Sequence, residues 1–109
     1  MKFKNEDYQS AKLILENYRF LKMNLAESEL VDKPSEEKRL RKCERAVEAL
    51  AREEKNGKEY YEIITRFYTK GNEREEAISR DLNIGQTKFY LLKREAINLV
   101  GIYMRDASD

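Results

Sequence analysis

Residues 76–94 read Glu76-Ala77-Ile78-Ser79-Arg80-Asp81-Leu82-Asn83-Ile84-Gly85-Gln86-Thr87-Lys88-Phe89-Tyr90-Leu91-Leu92-Lys93-Arg94, and their spacing is that of a helix-turn-helix. A first helix must bury Ile78 and Leu82 and hold a small residue, here Ser79, where the second helix crosses it. A tight turn then needs one residue that tolerates left-handed backbone, and Asn83 supplies it. Ile84 plugs the corner. Burying Phe89 and Leu92 turns Gln86, Thr87, Lys88, Tyr90, Leu91 and Arg94 outward, a surface able to enter a DNA major groove. Gln86 can pair with an adenine edge, Thr87 can meet a thymine methyl or a phosphate, and Tyr90 can contact either. Gln86, Thr87, Tyr90 and Leu91 are therefore the base-reading candidates, and Lys88, Lys93 and Arg94 the phosphate candidates. From Gly85 to Arg105 four bases stand against the single acid Glu95, a local net charge of +3 in a chain whose total is +1.

Outward from this stretch the pattern stays helical. Tyr60, Ile63, Ile64, Phe67 and Tyr68 follow an i, i+3, i+4, i+7, i+8 rhythm from Lys58 onward, which predicts a buried helix ended by Gly71-Asn72. That spacing favours core over a stacking platform for single strands. Asn56-Gly57 reads as a stop, with Gly57 suited to the left-handed position after a helix. Before it, Leu40, Cys43, Val47 and Leu50 mark a helix opening at Ser35 as N-cap and running toward Lys55. A long first helix spans residues 5–27, with Ala11, Ile14, Tyr18, Leu21 and Leu25 at helical spacing and Leu13 and Phe20 widening the stripe. That stripe holds more apolar residues than one face needs, and Ile14, Tyr18, Leu21 and Leu25 form a candidate dimer seam. It ends before a break at residues 30–34. The last helix runs from Gln86 to about Tyr103. Apolar residues at 3.6 spacing and no alternation predict an all-α fold of about five helices. Residues 1–56 form an N-terminal helical region for packing, dimerisation or partner contact, 57–105 the helix-turn-helix domain, and 106–109 a polar tail.

Composition narrows the function classes. The chain of 109 residues has no histidine, which removes the commonest general base, the Ser-His and Cys-His nucleophile pairs and the commonest metal ligand. Gly57, Gly71, Gly85 and Gly101 are too widely separated to cradle a phosphate. The acidic clusters at Glu53-Glu54 and at Glu73, Glu75 and Glu76 lack the loop of a calcium site and read as solvated helix ends. An enzyme, a cofactor and a metal are accordingly not expected. The single cysteine, Cys43, lies on an apolar stripe, permits no intrachain disulfide and fits a reducing, cytoplasmic compartment. The apolar runs Leu13-Ile14-Leu15 and 99–104 are too short for a signal core or a membrane span.

The stretch Lys88-Phe89-Tyr90-Leu91-Leu92-Lys93-Arg94-Glu95-Ala96 resembles the ArpU family of phage and prophage transcriptional regulators, relatives of the C-terminal DNA-binding region of sigma factors. The likeness extends to Tyr60-Tyr61-Glu62-Ile63-Ile64-Thr65-Arg66-Phe67-Tyr68, to Leu15-Glu16-Asn17-Tyr18-Arg19-Phe20-Leu21-Lys22 and to Val47-Glu48-Ala49-Leu50, and so covers most of the chain. Gly85 departs from the Ser or Thr usual at the start of the recognition helix, and Lys58-Glu59 from the usual Leu-Pro. The resemblance implies a regulator of late or lysis-related genes in a Gram-positive phage or prophage. The residues by themselves point only to sequence-specific binding of double-stranded DNA; RNA polymerase and a second copy of the chain are the further partners such a regulator could engage. The alternative is a helical adaptor that binds RNA polymerase or a phage packaging component without reading DNA.

Overall fold

The computed structural model describes residues 6–27 and 34–107, with side chains for 6–24 and 35–107; Leu25 of the expected seam and most of the expected break at 30–34 lie outside these. All regular structure among the described residues is helical: α1 (Glu6–Glu16), α2 (Tyr18–Glu27), α3 (Pro34–Leu50), α4 (Gly57–Ile64) with a π-helical turn at Thr65–Thr69, α5 (Glu75–Leu82) and α6 (Gln86–Asp106). Among the described residues no helix is long and apolar enough to cross a membrane.

The expected first helix is divided at Asn17. Its side-chain amide donates to the Leu13 carbonyl at 2.8 Å, competing for the acceptor that its own backbone N–H reaches at 3.2 Å. The Leu21 N–H to Asn17 bond, 2.9 Å, carries the path onward, so α1 and α2 remain nearly continuous. The second expected helix starts one residue earlier, with Pro34 where a fixed φ suits the first turn, and Ser35 sits inside it rather than capping it. It also stops at Leu50 instead of Lys55. There the chain doubles back, and a Cβ on Gly57 would stand 2.9 Å from the Leu50 carbonyl oxygen. Asn56, with φ 66°, takes the left-handed position expected of Gly57; the glycine is needed for close approach instead.

One core joins the two halves of the sequence. Ile14 and Leu15 of α1, Cys43 and Leu50 of α3, Ile63 and Ile64 of α4, Ile78 of α5 and Phe89, Leu92, Ile97 and Val100 of α6 are all essentially inaccessible to solvent. α6 is the common partner of α1, α3, α4 and α5. Its tightest crossing is with the start of α1, where a Cβ on Gly101 would lie 2.1 Å from the Asp7 carbonyl oxygen. Arg105 then pairs with Asp7 at 2.7 Å, and the Tyr103 hydroxyl donates to Glu53. These contacts extend α6 to Asp106, into the expected tail.

The same packing corrects the expected dimer seam. Ile14 and Tyr18 are buried and Leu21 is half-buried against the core, because the stripe is consumed by α3, α6 and the π-helical turn. Among the described side chains of α1 and α2, the large apolar ones that stay exposed are Leu13, Phe20 and Met23.

Candidate nucleic-acid interface

The corner between α5 and α6 is closed by two backbone bonds. The Ile84 N–H reaches the Ser79 carbonyl at 3.0 Å and the Asn83 N–H reaches that of Arg80 at 3.0 Å, the paired 6→1 and 5→2 pattern of a Schellman motif. Asn83 holds the left-handed residue at φ 59°, ψ 47°. Gly85 then precedes α6 in an extended conformation, without a side-chain cap.

From that corner α6 leaves with Phe89 and Leu92 fully buried, and with Gln86, Thr87, Lys88, Tyr90, Leu91 and Arg94 exposed. Six of the seven residues singled out by sequence therefore lie on the exposed surface of one helix. Ser79, Ile84, Gln86 and Phe89 line a shallow hollow of about 220 Å³ between α5 and α6.

Tyr90 and Lys93 are both tied to Glu75 of α5. The Tyr90 hydroxyl donates to Glu75 Oε1 at 2.8 Å, and that carboxylate raises the phenol's pKa above its usual value. Its ring is left to face outward. Lys93 departs from the exposed group: its side chain is 17 % accessible, with Nζ 3.6 Å from Glu75 Oε2 and 4.2 Å from the centre of the Phe67 ring. Burial lowers the Lys93 pKa, against the attraction of Glu75.

The basic surplus of the last helix is divided in the same way. Arg105 pairs with Asp7 and Asp106 at the C-terminal end of α6 and Lys93 with Glu75, whereas Lys88 and Arg94 lie on the exposed side of its N-terminal half. Sequence counting alone missed this, because Glu75 and Asp7 come from other helices and Asp106 lies one residue beyond the counted span.

The α5 side of the corner is braced by Arg66. Its guanidinium grips Glu73 through Nε at 3.0 Å and Nη2 at 2.6 Å, and Asp81 through Nη2 at 2.6 Å, which raises its pKa further. This planar fork ties the π-helical turn to the approach and to the body of α5. Arg66 had no assigned role from sequence; its acidic partners at i+7 and i+15 leave no periodic signal.

Elsewhere, Cys43 is buried among apolar side chains, and burial pushes its thiol up to about 12. Among the described residues no three His, Cys, Asp or Glu side chains gather into a metal-binding group. No protein-family model, curated protein or solved structure matches the chain.

Proposed function

We propose that this chain is a sequence-specific double-stranded DNA-binding transcriptional regulator that reads the major groove with the N-terminal half of α6. The observation that carries the reading is the Schellman-closed corner at Asn83, which sets Gln86, Thr87, Lys88, Tyr90, Leu91 and Arg94 outward on a helix whose Phe89 and Leu92 are anchored in the core. A helix so presented at its N-terminal end matches the docking geometry of helix-turn-helix proteins. Gln86 and Thr87, in the first turn, and Leu91 supply donors, an acceptor and apolar contact for base edges; the Tyr90 ring adds a flat surface. Lys88 and Arg94 flank them as phosphate contacts.

The likeness to ArpU regulators supports extending the reading to phage or prophage genes of the late or lysis-related class, transcribed in the cytoplasm of the host. RNA polymerase is a natural further partner for such a regulator.

Selection from random duplex DNA at near-physiological salt tests the proposal, with Lys88→Ala/Arg94→Ala as the control. The expected result is an enriched motif that the control fails to enrich. Inverted half-sites one helical turn apart would add a second copy of the chain. No enrichment by the unmodified protein overturns the reading in favour of the adaptor.

A further inference from the structure

Beside α6 runs a cleft of about 610 Å³, walled on one side by α1 and on the other by α6, with Phe67 and Tyr68 contributing to its lining. Its charged lining residues are Lys12, Arg19, Lys93 and Arg94 against the single carboxylate of Glu16. Lys93 is offset by Glu75, and on the facing wall Lys12 and Arg19 stand against Glu16, so the surplus of that wall rests on Lys12 and Arg19. Lys12 and Arg19 are seven residues apart, which puts them on one face of the nearly continuous α1–α2 helix at a rise of about 10 Å. Concave walls of low polarizability concentrate the field of such a surplus. The cleft also shares Tyr90 and Arg94 with the exposed side of α6, so its mouth opens alongside the face proposed to enter the groove.

We infer that this cleft is a phosphate-binding surface through which Lys12 and Arg19 grip the backbone of the duplex that α6 reads. The inference rests on the proposed DNA-binding function and gives the N-terminal helix a share in it. The arrangement also assigns Glu16 an opposing part: it pairs with Lys12 at 3.9 Å and sets a negative charge in the path of the strand. Removing cations and removing that anion must therefore change affinity in opposite directions, which a merely structural role would not do.

The test measures binding of a duplex carrying the selected site, with flanks on both sides, by fluorescence anisotropy across a series of KCl concentrations. Proteins compared are the unmodified chain, Lys12→Ala/Arg19→Ala, Glu16→Gln, and Arg41→Ala as a control cation on α3 that is paired with Glu37 outside the cleft. Thermal melts check that each is folded. The double variant is expected to flatten the slope of log affinity against log salt by about 2. Glu16→Gln should tighten binding, and Arg41→Ala should leave it unchanged. Salt-dependent binding with the same slope in the unmodified and double-variant proteins overturns the inference while leaving the function intact. Saturable binding of AMP, lost in the double variant whose duplex slope is unchanged, reassigns the cleft to a small anion and equally overturns it. Absence of duplex binding by the unmodified chain defeats the parent reading and the inference together.

Discussion

Lys93 stands with its ammonium 4.2 Å from the centre of the Phe67 ring, a cation resting on an aromatic face that the π-helical turn supplies. With Glu75 as its ion-pair partner, it is committed to the interior edge of the cleft. Lys93→Met should therefore leave the salt slope of duplex binding unchanged, whereas Arg94→Ala should flatten it by about 1. Its titration gives a second readout. Because burial lowers the Lys93 pKa below 10.5, the unfolded chain holds a proton that the folded chain has released in the interval just beneath that value. Folding stability contributed by this group rises with pH through that interval, and Lys93→Met should abolish the rise in urea titrations.

Base reading by Gln86 predicts a different signature. Gln86→Ala should cost about 1 to 3 kcal/mol against the preferred base at one position and relax selection there, with the salt slope preserved. Tyr90→Phe should leave the selected motif intact, since the hydroxyl is directed to Glu75. Competition binding with duplexes varied one base pair at a time separates the two outcomes.

Two glycines on or next to α6 should respond oppositely to enlargement. At Gly101 an added methyl meets the Asp7 backbone, so Gly101→Ala is expected to destabilise by about 2 kcal/mol as α1 is pushed from α6. At Gly85 nothing lies within 4 Å of the added Cβ, and φ is −75°. Gly85→Ser should stabilise by about 0.5 kcal/mol through a restored cap and a less free unfolded chain. Thermal and urea unfolding of both variants checks the pair.

A buried thiol raised to about 12 is protonated at neutral pH and shielded from reagents. Native Cys43 should resist iodoacetamide, and its labelling should track unfolding as urea is added. Fast labelling of the folded protein would contradict the burial.

At acid pH the junction of α2 and α3 should loosen as Glu44 takes up a proton. Burial alone would raise the Glu44 pKa, but bonds from Lys22 Nζ at 2.7 Å and from the Tyr18 hydroxyl outweigh it and hold the carboxyl below 4.5. A lowered carboxyl pKa contributes stability above the ordinary value and loses it as pH falls through the lowered one. Glu44→Gln should therefore flatten the fall of stability below pH 4.5, measured by urea midpoints.

The helices and the corner were legible because their signals are local. Phe89 and Leu92 announce the inward side of α6 by spacing alone, and Asn83 announces the left-handed corner by its side chain. What spacing could not convey were encounters between distant segments. Ile14 and Tyr18 look like surplus apolar residues until α3 and α6 arrive to cover them. Gly101 looks like a weak point in a helix until Asp7 crosses it. Lys93 and Arg105 look like available cations until Glu75 and Asp7 claim them. Six candidate residues were read from the exposed side of α6 because solvent exposure there follows from helical period; Lys93 differed because its surroundings come from the π-helical turn and α5.

The crossing of Asp7 over Gly101 bears on modularity. Because α1 seats directly on the helix that carries the corner, cutting the chain near residue 57 would strip apolar cover from Ile97 and Val100 and leave α6 without its floor. The last 53 residues are thus not a cassette that can be transplanted onto another protein. A chimera would have to carry the first helix with it, and whatever grasps that helix grasps α6 and its corner as well.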